Sequence, residues 1–178
     1  MMKTIYFAAS SLDGFISDKN NSLEWLFQFG EPKGNYIENF VNTVGALAMG
    51  STTYEWMCNS LPGFGDGKWP YRVPAFVFTN RELPVYSGAD IRFVKGDVRP
   101  VHQMMAAEAK DKHIWIVGGG ELAGKFYDAH LLDEFIIQFV SVTLGGGAPL
   151  FPRKLKKPLK LESVQRLDQE FAELRYSV

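Results

Sequence analysis

The chain has 178 residues, a formal net charge of −1 and 46% hydrophobic residues, which suits one domain (residues 1–178) with a substantial core. Lysine and arginine are scattered apart from the short run Arg153-Lys154-Leu155-Lys156-Lys157 before Pro158; this argues against a nucleic-acid footprint, and the run reads as a solvated turn. Cys58 has no partner for a disulfide or a thiolate metal site, and His102, His113 and His130 lack metal-ligand spacing, so no metal and a reducing compartment are expected.

From the N-terminus, Ile5 to Ala9 reads as a buried first strand. The apolar run is too short, and Asp13 follows too soon, for a signal peptide or membrane span, so a cytoplasmic protein is expected. Ser10 to Ser22 reads as a polar loop of functional length. Tyr36, Ile37, Phe40 and Val41 have helical spacing and lead into a second strand, Ala46 to Met49, ending at Gly50. Ser51, Thr52 and Thr53 then open a helix through Met57. Pro74 to Thr79 is a third strand, ending at Thr79-Asn80-Arg81, and Ile91 to Val94 a fourth. Asp97 can cap a helix carrying Val101, Met104, Met105 and Glu108.

Ile114 to Val117 is a fifth strand, broken by Gly118-Gly119-Gly120 and followed by a helix through Tyr127. Phe135 to Leu144 reads as a long strand, apolar on both faces up to Val140 apart from Gln138, as in the centre of a covered sheet. From Leu159 to Val178, alternation of Leu159/Leu161 and Ala172/Leu174/Tyr176/Val178 with polar residues marks an antiparallel hairpin turning near Asp168-Gln169. The sum is an α/β chain: a three-layer αβα sandwich on a mixed, mostly parallel sheet with a C-terminal antiparallel hairpin.

Three strand ends carry groups suited to phosphate: Gly50-Ser51-Thr52-Thr53, Thr79-Asn80-Arg81 and Gly118-Gly119-Gly120. Glycines remove every Cβ where a helix start offers unpaired N–H groups and the positive end of its dipole. Parallel strands would bring all three ends to one edge of the sheet, where one dinucleotide could touch them. Thr79 and Arg81 would then clamp a ribose 2′-phosphate, favouring NADPH over NADH. Plainer readings stand beside these: glycines for close packing, threonines as helix caps, Arg81 as a solvated charge. Gly118, Gly120 and Ala123 formally match the Rossmann fingerprint, but four strands precede it and a hairpin follows, against that topology.

The order of motifs resembles the dihydrofolate reductase fold across nearly the whole chain: Ala8-Ala9, Asp13, Ile16, Trp25, Met49 to Glu55, Val77 to Arg81 and Val117 to Gly120. Ser11-Leu12-Asp13-Gly14 and Thr143 to Phe151 resemble signatures of the branch containing the reductase domain of bacterial riboflavin biosynthesis. The resemblance implies NADPH, with its nicotinamide against Ala9 and Ile16 and its pyrophosphate between Ser51-Thr52-Thr53 and Gly119-Gly120-Glu121-Leu122. It puts the adenosine phosphate near Thr79-Asn80-Arg81. Ser51 stands where dihydrofolate reductases usually carry arginine, so the clamp rests more on Arg81. The missing carboxylate around Gly34 to Ile37 argues against folate reduction, and the missing deaminase domain and aspartate-x-proline against riboflavin synthesis.

The expected function is an NADPH-dependent reductase of a small conjugated C=N or C=O compound, pterin-like or flavin-precursor-like. The alternatives are a non-catalytic nucleotide-binding homo-oligomer and a true dihydrofolate reductase. Asp13 is the expected proton donor or water-ordering group, with a structural Asp-Gly turn as the alternative. Trp25 and Tyr36 are expected to line the substrate pocket, with core packing as theirs. A homodimer is expected from the branch and from aromatics outside the strands, and Leu61 to Pro70 is expected to act as an aromatic flap.

Overall fold

A computed structural model of the chain describes residues 1–30, 32–60 and 68–178. Strand and helix alternate as the apolar periodicity predicts: β1 Thr4–Ser11, β2 Phe15–Ser17, α1 Glu24–Phe27, α2 Tyr36–Asn42, β3 Val44–Gly50 and α3 Ser51–Ser60. There follow β4 Ala75–Phe78, β5 Ile91–Val94, α4 Val98–Ala109, β6 His113–Val117, α5 Gly120–Asp128, β7 Glu134–Val140, β8 Ala148–Pro149, β9 Lys160–Arg166 and β10 Phe171–Ser177. Asp97 caps α4 by accepting from the Arg99 amide at 2.8 Å.

Eight strands form one sheet in the order β5-β4-β3-β6-β1-β7-β10-β9. The six from β5 to β7 are parallel; β10 runs antiparallel to them, and β9, antiparallel to β10, returns to their direction at the sheet edge. Helices α4 and α5 cover one face over a core of Tyr6, Phe76, Met105, Ile116 and Phe126; α2 and α3 cover the other over Phe7, Leu47, Met49, Tyr54 and Trp115. This is the mixed α/β sandwich expected. Because the strands are parallel, the carboxyl ends of β1, β3, β4 and β6 lie along one edge of the sheet.

Three details differ from the sequence reading. β1 continues to Ser11, with Ser10 and Ser11 buried, because Ser11 still pairs with Val140 of β7. β7 stops at Val140, since the next segment leaves the sheet to meet Asp13. In β10 the buried side chains are Phe171 and Glu173, whereas Ala172, Leu174 and Tyr176 are only half covered. Phe171 joins a third cluster with Trp25, Val140 and Leu167. That orientation carries Glu173 inward opposite Gln138, and burial of its carboxylate is offset by Gln138 Nε2 at 3.1 Å and Arg175 Nε at 2.8 Å.

Candidate functional site

A cavity of about 450 Å³ opens at the carboxyl-end edge of the sheet. Two junctions build one half of it. β3 passes directly into α3, and β6 into α5 across Gly118 and Gly119, so two helix starts stand side by side on paired strands. The first amides of a helix have no partner further back, and each start carries the positive end of a dipole. The hydroxyl-bearing Thr52 and Thr53 line the cavity from α3, and Gly118, Gly119, Gly120 and Glu121 from the other junction.

The three glycines have different reasons to be glycine. Gly118 adopts φ +84° and rests on Thr53, whose Oγ1 a Cβ there would strike. Gly120 lies against the Leu150 carbonyl, which leaves no room for a Cβ. Gly119 has an ordinary φ of −55° and nothing within 4 Å of an added Cβ. Packing accounts for Gly118 and Gly120 but leaves Gly119 facing open space, a cradle that a side chain would fill and a diphosphate fits.

The floor and one wall come from a loop meeting that sequence periodicity does not show. Leu12 N–H donates to Val142 O at 2.7 Å, Leu150 N–H to Gly14 O at 2.8 Å, and the Tyr6 hydroxyl to Leu150 O at 2.8 Å. Phe15 and Ser17 of β2 pair with Pro149 and Ala148 of β8. The Ser11–Gly14 and Thr143–Phe151 signatures therefore clasp each other, and place Ile16 and Ser17 with Ala148 and Pro149 beside Ala9 in the cavity wall.

Asp13 is the pin of that clasp. Its carboxylate accepts from Ser11 Oγ at 2.6 Å, Leu144 N–H at 3.0 Å and Gly145 N–H at 2.7 Å. These bonds, the Ser11 hydroxyl foremost, hold its pKa below the usual carboxylate range, so it carries no proton to give at neutral pH. It does not line the cavity. This geometry matches the turn alternative, in which the carboxylate bonds loop N–H groups.

Of the other expected residues, Ala9, Ile16, Thr52, Thr53, Gly118, Gly119, Gly120 and Glu121 come together around the cavity; Gly50, Ser51, Thr79, Asn80, Arg81 and Leu122 lie outside its lining. Leu122 is buried in the core, and its amide donates to Gly119 O at 3.1 Å. Arg81 is held by Glu55, with its Nη1 at 3.0 Å from Oε1 and Nη2 at 2.5 Å from Oε2. Thr79 Oγ1 accepts from the Arg81 amide at 2.9 Å. Trp25 is core, packed with Val140, Leu167 and Phe171, and Tyr36 rests at the edge of that cluster with its hydroxyl 3.4 Å from Gln165 Nε2.

The second half of the cavity is apolar: Phe7, Leu23, Leu26, Trp56, Met57 and Tyr71. Sequence reasoning missed it, although Trp56 and Met57 lie one helical turn beyond Thr52 and Thr53 on the same face. Burial pushes the Tyr71 phenol up to about 12. Of the expected flap, Leu61 to Gly67 lie outside the described residues, and Trp69 is buried among Tyr54, Tyr71 and Tyr86.

Helices on both faces of the sheet, two helix starts at its carboxyl edge and a terminal hairpin make up a dihydrofolate reductase-like fold. Enterococcus faecalis dihydrofolate reductase, solved with NADP(H), superposes with a TM-score of 0.58 at 17% identity, over 98% of this chain and 95% of that one. Residues 2–172 match the family model of the RibD C-terminal domain, and the chain belongs to that family. It is 35% identical to the uncharacterized protein YwjB of Bacillus subtilis over 150 residues, 84% of this chain and 82% of YwjB. A crystal structure from Shewanella sp. PV-4, named for riboflavin biosynthesis, matches with a TM-score of 0.80 at 29% identity, over 99% of this chain and 98% of that one. Among the described residues, no helix is long and apolar enough to cross a membrane.

Proposed function

We propose that the protein is an NADPH-dependent reductase of a small conjugated C=N or C=O compound. The observation that carries this reading is Gly119, open to the cavity between two helix starts where packing accounts for the neighbouring glycines. When bound there, NADPH would supply a hydride to the electrophilic carbon of the substrate. The amides at Gly119, Gly120 and Glu121 and the hydroxyls of Thr52 and Thr53 would hold the pyrophosphate. Ala9 and Ile16 would give the nicotinamide a flat apolar seat, and the β2–β8 wall would exclude water. Thr79 and Arg81 would receive the 2′-phosphate, with Arg81 turning from Glu55 to do so.

The heteroatom of the reduced bond must gain a proton. Asp13 is ionised and occupied, so its role is to fix the clasp. Tyr71, in the apolar half and protonated at neutral pH, is the hydrogen-bond donor we assign to that atom, with solvent as the proton source. The family membership and the Shewanella protein's name support a reaction related to riboflavin biosynthesis.

A homodimer forms part of the proposal. β9 is exposed along its whole length at the sheet edge, and exposed Leu161 and Val164 adjoin half-covered Leu174 and Tyr176. A second copy covering this face would complete its burial. Sedimentation as a dimer is expected, and a monomer at all accessible concentrations would remove this part.

Titration of the purified chain with NADPH, followed by nicotinamide fluorescence, tests the reductase reading. Saturable binding is expected, with weaker binding of NADH; no binding of either would end it.

A further inference from the structure

The apolar half of the cavity constrains what can be reduced there. Beyond Phe7, Leu23, Leu26, Trp56, Met57 and Tyr71, the polar side chains lining the cavity are Ser17, Asn21, Thr52, Thr53 and Glu121, and no lysine, arginine or histidine lines it among the described residues. Glu31 and residues 61–67 contain no such residue either. Of the arginines in neighbouring loops, Arg153 is engaged by Glu121 at 2.9 Å and Asp128 at 3.1 Å and Arg81 by Glu55, while Arg72, next to Tyr71 in sequence, is exposed and outside the lining. Lys19 lies along Gly146, where an added Cβ would meet its Cε at 2.6 Å.

A phosphomonoester carries roughly −1.5 to −2 charges near neutral pH. Entering a chamber with this lining, it would lose water without gaining a cation, and desolvation would go uncompensated. The two helix starts do not relieve this, because they face the cofactor's own pyrophosphate. A flat ring fits the same lining well. Phe27 of α1 stacks on Trp56 of α3 with ring centroids 5.9 Å apart and planes 19° apart, so an aromatic wall already stands where the two helices meet.

We infer that the substrate is an uncharged, planar ring compound that bears no phosphate, received by Trp56, Met57, Leu23 and Leu26. This inference rests on the reductase reading and narrows it: a phosphorylated flavin precursor is excluded, whereas a dephosphorylated one or another neutral heteroaromatic is accepted.

Riboflavin and FMN share one ring system and differ by a phosphate, which makes them the probes. Each is titrated into the full chain saturated with NADP⁺, which cannot reduce it, and binding is read by quenching of flavin fluorescence. Riboflavin is expected to bind at least about tenfold more tightly than FMN, and Trp56→Ala to weaken riboflavin by about tenfold. FMN binding as tight as riboflavin, no riboflavin binding up to its solubility, or undiminished riboflavin binding by a folded Trp56→Ala variant would overturn the inference. A parallel NADP⁺ titration distinguishes the two levels. Absent NADP⁺ binding removes the reductase reading itself, whereas NADP⁺ binding combined with preference for FMN removes only the inference.

Discussion

The carboxyl edge of the sheet treats its strand ends in two ways. At β3 and β6 the chain passes into helices, and the residues that line the cavity there are the threonines and glycines of the two helix starts. At β4, next to β3 in the sheet, the chain enters a loop whose cation, Arg81, is paired with Glu55. The first kind of site is built from the backbone and needs no counter-ion to be removed before a phosphate arrives. In the proposed cofactor complex the second must release a carboxylate first, so it would tune selectivity more than supply affinity.

That contrast can be broken at either end. Gly119→Val should lower NADPH affinity by at least about 100-fold, ~2.7 kcal/mol, with circular dichroism unchanged, because the new side chain fills ligand space and not protein space. Undiminished affinity in a fluorescence titration would remove the backbone site. Gly120→Ala should instead lower unfolding free energy by about 1–3 kcal/mol in urea, since its Cβ meets the Leu150 carbonyl; unchanged stability would show that the two glycines do not differ as described.

At the β4 end, Arg81→Ala should weaken NADPH by about tenfold, ~1.4 kcal/mol, and leave NADH unaffected, while Glu55→Gln should strengthen NADPH by a few-fold. Equal losses for both cofactors would show that Arg81 does not read the 2′-phosphate. The smallest effect lies at the opposite edge of the sheet. Burial holds His102, 2.8 Å from Thr4 Oγ1, and His113 below the ordinary imidazole value. The unfolded chain therefore binds protons more readily than the folded one, and stability is lost as pH falls through about 6.5. Tm should drop by a few degrees between about pH 7.5 and pH 5.5; a flat Tm would contradict this.

Much of the fold is legible in the sequence because parallel strands buried on both faces read as continuous apolar runs, and glycines mark where strand turns to helix. The half of the cavity lined by Thr52, Thr53 and Gly118 to Glu121 follows for the same reason, these residues being local to those junctions. Other features depend on partners distant in sequence. Arg81 reads as a free clamp until Glu55, 26 residues away, is seen to hold it. Asp13 reads as an acid until the amides of Leu144 and Gly145 close on it. On α1 the error is one of rotation: Trp25 turns into the core, while Leu26 lines the cavity. In β10, alternation identifies the strand but not which face is buried, because Glu173 goes inward opposite Gln138.

The central claim, that the two helix starts hold the cofactor's pyrophosphate, is tested most directly by amide NMR of the full chain titrated with NADPH. The largest shifts should fall on the N–H groups of Gly119, Gly120, Glu121, Thr52 and Thr53, saturating together with a single affinity. Saturation of NADPH with those five amides unmoved would contradict it.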